Sequence, residues 1–180
     1  FDFDHVSASP ARFDMEKAYW VNHQYLKVAD PAIVAPEFDW HLRRIGADPA
    51  NGPDLKLVIE QQRERCRTLA EMAEKSRFLY AELDGYNDKD AAKHLTAEGK
   101  AVLSELTQQL KALPEWTAPA LHRAVNGFAE GRGVGLGKIA QPIRVAVVGM
   151  AISPPIDQTL FLLVRERTLA RLTAASRSAP

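Results

Sequence analysis

The chain has 180 residues, 46% hydrophobic and 26% charged, which is long enough to bury a core without staples and ordinary for a globular protein. Twenty-three Lys and Arg balance 23 Asp and Glu, so the charge total announces no nucleic-acid partner and excludes none. Its single cysteine, Cys66, excludes an internal disulfide and suits a reducing compartment. No apolar run approaches the roughly 18 to 20 residues of a membrane span, and the longest, Ile156 to Val164, is interrupted by Asp157 and Gln158. The first residue is Phe rather than Met and no signal segment opens the chain, as expected of a fragment of a longer cytoplasmic protein.

Phe1 to Phe13 reads as an extended lead-in with a turn at Ser9-Pro10. Asp14 then caps a helix to about Ala29, with Ala18, Val21, Tyr25 and Val28 as its apolar stripe. Asp30-Pro31 opens a second helix carrying Ile33, Val34, Phe38, Leu42 and Ile45, with Pro36 as a candidate kink and Gly46 as its end. Asn51-Gly52-Pro53 marks a turn. From Asp54 one long helix is expected, with Leu55, Val58, Ile59, Gln62, Cys66, Leu69 and Ala73 on one side and a continuation to Leu83. Asp84 to Lys93 is polar and reads as a loop.

Thr96 caps a helix with Leu103, Leu106, Leu110 and Leu113 inward, stopped by Pro114. Thr117 caps the next, with Leu121, Ala124, Val125 and Phe128 inward and Trp116 placed as a staple on Leu121. The glycine cluster Gly131 to Gly137 ends it. From Gly137 to Ile156 a short helix ends at Gly149, the chain reverses, and Ser153-Pro154 starts another helix as N-cap and first residue. Ile143 to Val148 alternates like a strand, but a single strand has no partner elsewhere, so helix is the reading. Glu166 to Ala175 forms the last helix and Ser176 to Pro180 frays. The class is all-α: a multi-helix bundle of two helical subdomains in series, residues 1–84 and 85–180.

The sequence offers no catalytic constellation. The histidines at 5, 23, 41, 94 and 122 are unpaired at helical spacing and Cys66 has no second thiol, so no metal site is expected. Asp88 and Asp90 lack the glycine and glutamate of a calcium loop. The run Gly131 to Lys138 follows a helix, and Ile139 stands where a phosphate loop needs Ser or Thr. No cofactor is expected in this chain.

Three motifs carry a resemblance. They are S-x-S-P-A-R-F-D-x-E-K-x-x-W-x-N from Ser7 to Asn22, R-x-R-x-x-T-L-x-E from Arg63 to Glu71, and G-K-x-x-Q-P-x-R-x-A-x-x-G-x-x-x-S-P from Gly137 to Pro154. In this order and spacing they resemble the C-terminal, anticodon-binding region of bacterial glutamyl-tRNA synthetases, over nearly the whole chain. The resemblance implies a parent that joins glutamate to its tRNA through glutamyl-adenylate. ATP and glutamate would be held by a catalytic half whose H-I-G-H and K-M-S-K-S type motifs are absent here. The partner implied is tRNA, bound by a monomer.

By the same resemblance Arg65, on a helix, meets the last anticodon base, and Ser153 (commonly Thr in the family) and Ile156 meet the others. Arg63, Lys138, Gln141 and Arg144 are further candidates for tRNA contact. Unstacked RNA bases are read by stacking and edge hydrogen bonds, to which a guanidinium is suited. Val148 replaces a common Thr and Val164 a common Gly, so local helix ends should depart from the family. The residues also allow a blander reading: a helical protein–protein interaction module without RNA, in which Arg65 is a solvated charge, Ser153 a plain N-cap, Ile156 core and Arg144 structural. RNA is favoured if Arg63, Arg65, Arg67, Lys75, Arg77 and Lys138 share one face.

Overall fold

Side-chain caps set where most helices begin. In a computed structural model that describes residues 14–178, the carboxylates of Asp14, Asp30 and Asp54 and the hydroxyls of Thr96 and Thr117 each accept a first-turn N–H. These caps start α1 (Met15–Val28), α2 (Pro31–Arg44), α3 (Leu55–Gln62), α6 (Ala97–Lys111) and α7 (Ala118–Gly131). The remaining helices are α4 (Leu69–Tyr80), α5 (Asp88–His94), α8 (Leu136–Val148), α9 (Ile156–Leu163) and α10 (Arg165–Arg177), with a 3-10 turn at Pro49–Asn51. Among the described residues there is no strand, and the fold is all-α. The expected lead-in from Phe1 to Phe13 and the last two residues lie outside the described residues.

Five local expectations are corrected. The single long helix from Asp54 is two helices, broken from Arg63 to Thr68. Thr68 caps α4 by accepting from Glu71 N–H, and Glu71 reaches back past the N-cap to accept from Arg67 N–H at 2.7 Å, a variant of the capping box that favours a new start over continuation. The polar stretch from Asp84 contains α5, capped by Asn87. Ser153 does not cap α9, which starts at Ile156 after Pro155 with no side-chain cap. On α1 the buried residue is Leu26, while Val21, Tyr25 and Val28 are exposed, because helical spacing picks a face without saying which neighbour covers it. Trp116, read as a staple for α7, reaches α9 by donating its indole N–H to Leu160 O at 3.1 Å.

Helix α2 packs on α3 and α4, α6 packs on α10, and α7 packs on α9. Helix α8 sits among α5, α6, α7, α9 and α10. Its Ile139, Ile143, Val145, Ala146 and Val147 are buried, which is why its sequence looks like a continuous apolar run rather than a stripe. Gly149, at φ 88°, ends α8 in the left-handed conformation that glycine adopts without a Cβ penalty. Pro36 and Pro142 stay inside α2 and α8.

Candidate nucleic-acid interface

The break between α3 and α4 decides how its three arginines point. Cys66 is fully buried and anchors the turn. Arg63 donates to Ala29 O at 3.5 Å, beyond the end of α1. Arg67 pairs with Glu16 at 3.1 Å and lies 4.9 Å over the Tyr19 ring. Both are occupied with α1. Arg65, between them, is exposed, and among the described residues no hydrogen bond or ion pair engages its side chain. Its backbone is held instead: Lys75 Nζ donates to Arg65 O at 3.1 Å while pairing with Glu71 at 2.7 Å. Glu71 is partly desolvated, yet Lys75 and the Arg67 N–H hold its carboxyl below the usual range.

Opposite stands the reversal after α8. Asn87 N–H donates to Gly149 O at 2.7 Å, and Asp90 accepts from Ala151 N–H at 2.8 Å, so the loop hangs from α5 and its lead-in. A Cβ on Gly149 would lie 3.0 Å from Gly85 O. Arg144 Nε donates to Ser153 Oγ at 3.2 Å, and Ser153 Oγ donates to Pro154 O at 2.7 Å. Burial lowers the Arg144 pKa. Arg144 thus supports Ser153 from below.

Between these walls lies a cleft of about 650 Å³. Arg65, Lys75, Arg77 and Phe78 line one side, Met150, Ile152, Ser153 and Pro154 the other, with Tyr86 between. Arg77 is tied to Asp84 at 2.8 Å, so Arg65 is the cation left to a ligand. Ile152 is 78% exposed, an apolar platform beside the Ser153 hydroxyl. A guanidinium facing apolar side chains and a hydroxyl can edge-bond and stack an unstacked base.

The structure thus brings Arg65 and Ser153 to one cleft, with Arg144 behind Ser153. It does not bring the others. Ile156 is 6% exposed and packs in the core, leaving its backbone N–H in the first turn of α9. Arg63 faces α1. Lys138 and Gln141 line a second cleft of about 320 Å³ with Lys93, His94 and Arg132, toward the opposite end of α8. Of the six basic residues proposed as one face, Arg65, Lys75 and Arg77 share the first cleft and Arg63, Arg67 and Lys138 do not. Met150, Ile152 and Tyr86 escaped the sequence reading; an apolar residue in a reversal carries no periodic signal. Among the described residues no three metal-ligating side chains converge.

A family model described as an anticodon binding domain matches residues 24–176. Glutamate–tRNA ligase 1 of Nitrosococcus oceani is 43% identical over 175 residues, covering 97% of this chain and 37% of that protein. Glutamate–tRNA ligase 2 of Coxiella burnetii is 44% identical over 177 residues, covering 98% of this chain and 38% of that protein. A solved glutamate tRNA ligase from Elizabethkingia meningosepticum, in complex with its amino acid, superposes with a TM-score of 0.82 at 25% identity, over 99% of this chain and 35% of that one. The chain therefore spans well under half the length of the relatives it matches. On the family match across most of its length and on this shared helical architecture, the chain belongs to the anticodon binding domain family, as found in bacterial glutamate–tRNA ligases.

Proposed function

We propose that this chain holds the anticodon loop of a glutamate-accepting tRNA, as part of a cytoplasmic, monomeric ligase that joins glutamate to that tRNA with ATP. ATP and glutamate are bound outside this chain, which alone carries out no aminoacylation. The observation that carries the reading is Arg65: an exposed guanidinium whose neighbours Arg63 and Arg67 are both tied down, set on a cleft wall facing Ile152 and Ser153. Its fork bonds the edge of the last anticodon base, Ile152 offers a stacking surface, and the Arg144-supported Ser153 hydroxyl meets a neighbouring base. Ile156, buried and outside the lining of the cleft, meets a base only through its first-turn amide. Lys138 and Gln141, about 15 and 10 Å from the end of α8 at 1.5 Å per residue, contact the RNA backbone. The division of the chain near residues 84–85 separates the element bearing Arg65 from the one bearing Ser153, so the cleft lies between the two subdomains.

Arg65→Gln in the full-length ligase tests this. Gln has a shorter stem and mixes donor with acceptor. Charging of two tRNAs that differ only in the last anticodon base should lose discrimination by about 1–3 kcal/mol, as for other base-edge contacts. Equal losses on both tRNAs with a reduced salt slope would make Arg65 a phosphate contact; an unchanged enzyme would return it to a solvated charge.

A further inference from the structure

The last four carbonyls of a helix have no intrahelical donor, and partial negative charge gathers there. Helices α4 and α8 end close together: the linker after α4 touches the end of α8 through Asn87 N–H to Gly149 O at 2.7 Å and through the Gly85–Gly149 approach. Two negative helix ends that converge call for a cation. Arg171 of α10 supplies it. Its Nη1 donates to Val147 O at 2.6 Å, in the last turn of α8, and its Nη2 donates to Ala81 O at 2.9 Å, the C-cap residue of α4. One turn earlier on the same face, Arg167 Nη1 donates to Leu79 O. Arg171 is 7% exposed, and among the described residues it forms no ion pair with a carboxylate. Burial, aided by Arg167 and opposed by Glu82 and Tyr86, lowers its pKa to about 10, so the guanidinium stays charged at neutral pH.

These contacts stand behind the cleft without lining it. Helix α4 carries Lys75 and, through the Lys75 bond, the Arg65 backbone. Helix α8 leads straight into Met150 to Pro154. A planar fork with donors at fixed angles sets two acceptors in one relation to each other, which a lysine ammonium cannot do. We propose that Arg171, assisted by Arg167, is a positioning residue for base selection: by joining the ends of α4 and α8 it fixes the spacing between Arg65 and Ser153. This rests on the reading of the cleft as the anticodon site.

The test uses the full-length ligase and the same pair of tRNAs. Arg171→Lys keeps the charge and loses the fork. It should lower the ratio of kcat/KM for the right over the wrong base by about tenfold, short of the ~100-fold that a 1 Å misplacement can cost, with KM for ATP and glutamate unchanged. Adding Arg65→Gln to Arg171→Lys should then cost less discrimination than Arg65→Gln alone, since both act on one contact. A lower melting temperature with an unchanged ratio would overturn the proposal and leave Arg171 a stability residue. If Arg171→Lys does not fold, Arg167→Gln, which keeps the buried fork, decides by the same ratio: a fall supports positioning and no change overturns it. If Arg65→Gln lowers the ratio while Arg171→Lys and Arg167→Gln do not, only the positioning role fails. If Arg65→Gln leaves the ratio intact, the anticodon reading fails and the positioning role with it.

Discussion

Val164 links α9 to α10 at φ 61° and ψ 164°, a region open to glycine and strained for a β-branched side chain. The side chain is 53% exposed, so it recovers little by burial. Such strain costs on the order of 1–3 kcal/mol, against the 0.5–1 kcal/mol that glycine loses in chain entropy. Val164→Gly should therefore raise stability by about 1 kcal/mol, seen as a higher urea midpoint at unchanged slope. No rise would mean that the unfolded chain gains as much freedom as the fold loses strain. The substitution itself was legible against the resemblance; the strained backbone was not, because nothing in an apolar run announces where φ changes sign. Gly52 shows the converse. A Cβ there would lie 2.2 Å from the Tyr80 ring and 2.7 Å from Leu79 O, and the sequence marks only a turn.

Among the elements, the separation of α3 from α4 has most bearing on function, since it turns Arg65 out of a helix face and onto a loop. Its apolar spacing, Val58, Ile59, Gln62, Cys66 and Leu69, continues across the break, and all but Leu69 are buried. Periodicity alone therefore could not show it. The visible sign was Thr68-x-x-Glu71, a capping signature inside an apparently continuous helix. Thr68→Ala should cost about 1 kcal/mol, the usual value of such a cap. It should also loosen the turn, so that hydrogen exchange at Arg65 to Leu69 speeds up more than at α6. Equal protection before and after the substitution would show that Cys66 burial, rather than the cap, holds the turn.

At the scale of the whole molecule, Cys66 reports on folding. Burial pushes its thiol up to about 11 from an ordinary 9.0, opposed weakly by Lys75 and Arg65 and aided by Glu71. Above pH 9 the unfolded chain releases this proton and the folded chain keeps it. The unfolded state then binds fewer protons, and stability falls as pH rises. Burial of Arg171 works in the opposite sense above about pH 10, and burial of Tyr80 and Tyr86, which raises both phenols, adds to the decline as pH nears 10, so Cys66 dominates only just above pH 9. Urea midpoints should decline from pH 9 to 10 in the natural chain and decline less in Cys66→Ala, where Tyr80 and Tyr86 still contribute. A decline of equal size in both would assign the effect to other groups. Below pH 9 the thiol should resist alkylation until the chain unfolds.

What the sequence by itself determined was local or repeated: the helical class, five of the caps, the end of α8 at Gly149, the inward faces of α6 and α7, and the motifs that name the family. Each depends on residues within a turn or two of one another, where hydrogen-bonding geometry leaves few choices. The tertiary structure decided which members of those motifs meet. It set Arg65 across a cleft from Ser153 although 88 positions separate them, sent Lys138 and Gln141 to another cleft, and buried Ile156. It also brought two helix ends together over Arg171, a residue that reads in the sequence as one more arginine on a terminal helix. Burial and the convergence of backbone carbonyls arise only once distant helices pack, and these determine which arginine is held by the fold and which remains available to a ligand.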